Sequence, residues 1–490
     1  MKKAILKFSA MILLLGGSVG CGNDFLDTNY FQGVDSETAL NSVGNIATAL
    51  NGAYYNLFTR YFAGNYAITI GDVPTDIAYW NGQTGHWDGI YTFTFTDTDL
   101  YLYYIWDYGY KVADNAARII EAAIALYEES DDKASLDLYL AEAYALRGYA
   151  QLMLTNIFCH QIKVDGTDFS AQPGIVVIDK PIEALTQVSR STVGQSYEAV
   201  VGDLKNALTH FTAAGGDRGE LYYFNVAATY GLLARTYLYL EQWEDAADSA
   251  QAALDAKGIS ALAYTAADYR ALYTSNANVE SMYALAISAT DNWSANSCGT
   301  LWSTYNFSPS PKLQALYETT DCRTAIFGWA GTSTDAVPIF TGGKYSCHSS
   351  GNSAYATNYI VNAPEMFLII AEANVQSSTG TVAAAQQALL NVAKRNSAIT
   401  SASDLPANKS DLLTFIKDER ARELFQEGLR LYDLRRWNEN ADVYAYQAPN
   451  IAFTYTGYKI SDLIFPIPSD EITAGFGVEQ NEGWAATLPK

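Results

Sequence analysis

The sequence predicts a mainly α-helical protein in which helical hairpins form a scaffold, decorated with long loops and a few short β-hairpins. Three observations carry this. Apolar residues recur at three- and four-residue spacing through several long stretches, the period of a helix with one buried face. Two stretches, residues 63–100 and 257–362, lose that period and are punctuated by Gly, Pro, Ser, Thr and Asn. The composition, 49% hydrophobic and only 17% charged, is that of a chain able to bury a large core.

Taken in order, Lys2-Lys3 precede an apolar run from Ala10 to Leu15, extended by Ala4-Ile5-Leu6. That is too short for a membrane span and reads as a targeting segment over residues 1–20. Gly16-Gly17-Ser18-Val19-Gly20 formally matches a nucleophile elbow, but it lies in the leader and carries no catalytic weight. Residues 36–62 read as a helix with Leu40, Val43, Ile46, Leu50 and Leu57 on one face. In 63–100 the alternation Tyr91-Thr-Phe93-Thr-Phe95-Thr reads as a short strand. Helices follow over 101–128, from Tyr101 through Trp106 and Tyr110 to Ile119-Ile120, and from Leu136 to Phe158. The clearest pair is Tyr222 to Leu240 and Gln242 to Leu254. Its run Ala228, Tyr237, Leu240, Trp243, Ala246, Leu254 resembles a tetratricopeptide repeat, in which small residues let paired helices approach closely.

Near the end lies a charged helical run, Ile416 to Trp437. Glu419, Glu423 and Glu427 fall at i, i+4 and i+8 on one row, with Ile416, Arg420 and Leu424 on the next. Mixed with Leu, Phe and Trp, these charges cannot all be solvated, so a buried and paired structural network is expected. Gly428 fits a helix stop, followed by a short helix from Leu431 to Trp437.

The formal charge is −23, and loss of the leader, which carries three lysines and no acid, brings it to −26. Such a body repels nucleic acid, anionic lipid and polyanionic glycans. Besides Cys21, the cysteines are Cys159, Cys298, Cys322 and Cys347; they allow three pairings, and a local bridge within 298–347 is open. Cys159-His160 and Cys347-His348 lack zinc-site spacing, so neither a metal nor a cofactor is expected.

Five segments in order resemble one family. The run Glu419-Arg420…Glu423-Leu424…Glu427-Gly428…Arg430…Asp433-Leu434…Arg436-Trp437 is similar to the C-terminal signature of the SusD/RagB lipoproteins, surface nutrient-binding proteins of Bacteroidetes. Pro364-Glu365 to Ala371-Glu372-Ala373, Phe465-Pro466-Ile467-Pro468 with Glu471-Ile472 and Gln480-Asn481, and Arg190…Thr192 with Asp203-Leu204…Ala207 match in turn. Cys21…Asp24-Phe25-Leu26-Asp27 resembles the mature N-terminus, although Ser18 stands where a lipobox usually has Leu. The resemblance implies one domain over 21–490: helical repeats in 36–256, a loop-rich ligand-binding insert in 257–362 and closing helices in 363–490. It implies lipidation at Cys21, with ordinary secretion and nearby cleavage as the alternative. It implies anchoring in the outer membrane facing the cell exterior, and a SusC-like TonB-dependent transporter as partner.

Aromatics make up 13% of residues, with 36 Tyr against 20 Phe. A Tyr or Trp offers an apolar face and a polar edge, the combination a sugar ring needs. In the family, loops in these two regions bind glycans. The candidate ligand-binding residues are therefore Asp76, Tyr79, Trp80, Asn81, Trp87, Trp293, Trp302 and Tyr305, with Asp72, Asp88, Asp291 and Asn292 nearby. Asp72 and Asp76 fit turn caps equally well. Trp106, Trp243 and Trp437 sit on helices and read as core. The rings of 79–91 and 293–305 are expected to converge into one shallow platform. The function expected is non-catalytic capture of oligosaccharide, with peptide import of the RagB type as the alternative. A glycoside hydrolase and a bare repeat scaffold are the other classes; no catalytic motif is present.

Overall fold

Helix starts are set locally by side-chain caps. Asp99 accepts hydrogen bonds from the amides of Tyr101 and Leu102 at 2.8 and 3.3 Å, and Thr192 with Gln195 closes a capping box. The computed structural model describes residues 39–82, 84–305, 307–332, 338–444, 452–453 and 459–489. Its principal helices are α1 (Val43–Phe58), α2 (Leu100–Tyr127), α3 (Lys133–Phe158), α4 (Val193–Ala214), α5 (Val226–Tyr239), α6 (Trp243–Lys257), α7 (Ala363–Gln376), α8 (Val382–Ala393), α9 (Lys409–Glu423) and α10 (Arg430–Arg436). The leader, Cys21 and the first residues of the expected 36–62 helix lie outside the described residues.

Residues 42–490 form one unit in which the helices pack in series: α1 on α2, α2 on α3, α3 on α4, α4 on α5 and α5 on α6. The chain leaves the stack at Lys257, runs through the insert and returns as α7. There α7 packs on α6, α8 and α9, so the stack continues across the insertion. Ala246, Ala250 and Ala253 of α6 are fully buried, which fits the close approach expected of small residues in paired helices. The mainly helical hairpin fold anticipated from the periodicity is the fold observed.

The strands are short and pair the loop regions. They include β1 (Ala78–Trp80), β2 (Ser281–Ala284), β3 (Phe307–Pro309) and β4 (Tyr359–Asn362). Antiparallel β1 and β3 join Tyr79 to Ser308 and Trp80 to Phe307, while β2 pairs with β4. One expectation is corrected: Tyr91 to Thr96 is not a strand. Asp88–Tyr91 is a helical turn, and Phe93 takes a left-handed φ of 57°. The alternation there reflects Tyr91, Phe93 and Phe95 entering the core around a turn, not a pleat. A second correction concerns the loops. Most of 63–80 is buried, so the segment is interior packing rather than surface decoration. Trp106 and Trp437 are core, whereas Trp243 is half-buried at the start of α6. Cys159, Cys298, Cys322 and Cys347 are all unbridged and buried, and burial pushes each thiol above its ordinary value.

Candidate functional site

The charged run of α9 and α10 holds both loop regions. Its carboxylate row receives one or two cations at every member. Arg323 reaches Glu419 at 2.7 Å and Glu423 at 3.0 Å, Arg395 reaches Glu423 at 2.9 Å, and Lys344 reaches Glu427 at 2.6 Å. Arg420 joins α9 to α10 through Asp433 at 2.7 Å. Arg430 then clasps Asp76 with two hydrogen bonds of 2.8 Å, and Lys312 adds a third contact at 2.8 Å. Burial opposes the Asp76 charge, but Arg430 and then Lys312 outweigh it and hold the carboxyl at about 2.

Asp72 instead accepts the Gly428 amide at 3.0 Å, and burial pushes its carboxyl up to about 7. Gly428 is not the stop of α9, which ends at Glu423. It sits in the following turn at φ 72°, where a Cβ would lie 2.4 Å from the Ile68 carbonyl oxygen. A Cβ on Gly71 would lie 1.9 Å from the Gly428 oxygen, so two glycines let the first loop touch the charged turn.

This clamp positions the ribbon of β1 and β3, and the ribbon brings the two aromatic segments together. His86 stacks on Tyr305 with centroids 3.8 Å apart, and the Thr84 hydroxyl donates to the Tyr305 carbonyl at 3.3 Å. Trp87 stacks on Tyr101 at 4.1 Å, Tyr66 meets Tyr101 edge-on at 4.9 Å, and Tyr61 stacks on Tyr104 at 4.1 Å. Burial raises the Tyr101 phenol, with Asp99, Asp88 and Tyr305 adding to the shift, and its hydroxyl accepts the Trp87 amide at 3.3 Å.

The eight candidates divide by depth. Asp76, Tyr79, Trp80, Asn81, Trp87 and Trp302 are buried, whereas Trp293 and Tyr305 are half-buried. Trp302 packs edge-on against Phe425 at 5.0 Å and Phe307 at 6.2 Å. Trp293 donates its indole N–H to the Phe58 carbonyl at 2.9 Å, and its ring lies 5.3 Å from that of Phe58. Of the neighbouring acids, Asp72 is buried and Asp88 is exposed. Asp291 is exposed, and Asn292 caps its own loop by donating to the Ser288 carbonyl at 2.9 Å. The half-buried rings His86, Tyr101, Tyr104 and Tyr61 were not singled out from the sequence. Their signal was Tyr101, Tyr104 and Tyr108 at i, i+3 and i+7, a tyrosine row on a helix whose other face is the core one. Among the described residues, no group of three His, Cys, Asp or Glu forms a metal site.

Residues 24–238 match the family model described as starch-binding associating with outer membrane, and residues 339–484 match the model of the SusD family. The chain belongs to the SusD family. Solved structures similar to it include SusD proteins. One is a SusD superfamily protein of Bacteroides thetaiotaomicron, with TM-score 0.79 and 23% identity over 90% of this chain and 99% of that one. A SusD superfamily protein of Bacteroides vulgatus gives TM-score 0.77 and 25% identity over 92% and 100%. A SusD-like carbohydrate binding protein of the same organism gives 0.67 and 20% over 82% and 84%. No curated protein sequence matches the chain.

The SusD signature residues serve as interior ties. Glu365 pairs with Arg235 at 2.6 Å, Glu372 accepts from Arg436 at 2.7 Å, and Asp203 pairs with Arg147 at 2.6 Å. The Asn481 amide donates to the Phe158 and Phe465 carbonyls, both at 2.7 Å. The motif residues therefore tie the scaffold from inside.

Proposed function

We propose that this SusD-family protein is a non-catalytic lipoprotein of the outer membrane, anchored through Cys21. It captures oligosaccharides at the cell exterior and delivers them to a SusC-like TonB-dependent transporter. The supporting observation is the ring junction. Tyr305, His86 and Tyr101 keep ring surface at half-buried positions, with the exposed Asp88 next along the chain from Trp87 and Asp99 capping the helix that carries Tyr101. A pyranose presents its C–H face to such a ring and its hydroxyls to such carboxylates. Beneath the rings, Trp80, Trp87 and Trp302 are core, so the platform is held rigid before ligand arrives, which lowers the ordering cost of binding. Of the eight candidates, Tyr305 and Trp293 are those able to touch ligand directly, while the six buried ones support the surface from below. Glu419, Glu423 and Glu427 are committed to ion pairs, which leaves them no acid–base role.

The test is calorimetric titration of the mature protein against a panel of neutral glycans and peptides, followed by product analysis. Binding of a neutral oligosaccharide without turnover, weakened in Tyr305→Ala at an unchanged Tm, is the expected result. Sustained product release would overturn the binding class. Peptide binding in place of glycan binding would favour the RagB-type reading.

A further inference from the structure

On the face of α2 next to the ring junction lies a cavity of about 480 Å³, within the size range of small-molecule sites. Tyr103, Trp106 and Tyr110 of α2 line one wall. Val176, Ile178, Ile182 and Val188 line a second, and Pro468, Asp470, Glu471 and Val478 complete the lining. The mouth carries four carboxylates, which differ in how they are compensated. Asp107 is paired with Lys111 at 2.7 Å. Asp114 is paired with Arg118 at 2.8 Å and accepts the Ile182 amide at 2.9 Å. Asp470 and Glu471 have no cation within salt-bridge distance among the described residues; Glu471 accepts only the Trp106 indole N–H, at 3.2 Å. That bond fixes the carboxylate against the ring wall and leaves its second oxygen available.

We infer that this cavity is a second ligand site, distinct from the ring junction, for an organic ammonium carried on a small body. Rings attract a cation over their faces, and an uncompensated carboxylate pair beside them adds charge-assisted hydrogen bonds. A neutral body of the same size would gain the apolar contact and hydrogen bonds from its hydroxyls, but not the attraction between opposite charges. The ammonium of an amino sugar and that of a lysine side chain share this chemistry. The site stands independently of the glycan reading of the ring junction.

Ligand-observed NMR and calorimetry on the mature protein test it, with glucosamine, N-acetylglucosamine, glucose and Nα-acetyl-lysine amide as probes. Glucosamine or the lysine derivative should bind, and which of them binds tighter identifies the source. The two neutral sugars should bind at least about tenfold more weakly, the value of one charged hydrogen bond. Glu471→Gln combined with Asp470→Asn, both solvent-reachable and outside the core, should cost about tenfold in ammonium affinity at unchanged Tm. Tyr305→Ala should leave ammonium binding intact. Failure of both amines to bind, equal affinity for neutral sugars, no effect of the double variant, or loss of ammonium binding in Tyr305→Ala would each overturn the proposal.

Discussion

Arg430 holds both carboxylate oxygens of Asp76 at 2.8 Å, and both side chains are buried. The pair ties α10, the second helix of the charged run, to the loop that carries β1. It explains why the polar residues nearest the ring junction in sequence are parts of its foundation.

Removing one member of this pair leaves the other buried and uncompensated. Asp76→Ala should therefore cost about 3–5 kcal/mol, measured by denaturant unfolding. Arg420→Ala should cost a similar amount through Asp433. Native stability in both variants, with ligand binding lost, would show that these residues serve the ligand and not the fold.

The two loop aspartates should respond to pH in opposite ways. Asp76 is held at about 2 in the folded state, below the ordinary ~3.9. Its contribution is present above about pH 4 and is lost as pH falls towards 2. Asp72 is raised to about 7, so the folded state binds its proton more tightly and stability declines as pH rises from about 4 to 7. Asp72→Asn should reduce that decline in a Tm-against-pH series, which Glu142 shares, while Asp76→Asn should reduce the acid limb, which Glu419 and Asp433 share. Parallel curves for wild type and Asp72→Asn would refute the assignment.

The aromatic positions should split by depth. Trp87→Ala and Trp302→Ala remove core rings and should destabilise by about 3–5 kcal/mol. Tyr305→Ala should keep the fold and lose about 2 kcal/mol of glycan affinity, the scale of an interface anchor. Thermal melts paired with calorimetry separate the two groups; a Tyr305→Ala protein that melts early and binds normally would reverse the roles.

Cys21→Ala should release the protein from the outer membrane or leave the precursor uncleaved, as read by membrane fractionation. Normal retention would sink the lipoprotein reading.

Much of the architecture was legible because helices are local objects. The three- and four-residue periods of 101–128 and 136–158 located α2 and α3 closely, and the Ala-rich run after Trp243 marked the tight α5–α6 hairpin. The carboxylate row Glu419, Glu423, Glu427 was readable for the same reason, since a helix puts i and i+4 on one face. What the row would pair with was not readable. Arg422 pairs with Glu419 within the helix at 2.6 Å, but the other cations, Arg323, Arg395 and Lys344, lie upstream and reach the row only through tertiary folding.

The same division holds for the candidate site. Composition marked residues 63–100 and 257–362 as aromatic segments outside the helical period, and sequence alone determined that. Which rings stay near solvent was decided by the tertiary structure. Pairing of β1 with β3 turns Trp80 inward onto Tyr91 and sets His86 on Tyr305. A tryptophan in a glycine-punctuated loop has the same local sequence whether it faces water or core. Burial depends on the neighbours that other segments bring, and for Trp87 and Trp302 those neighbours are Tyr66, Tyr101 and Phe425.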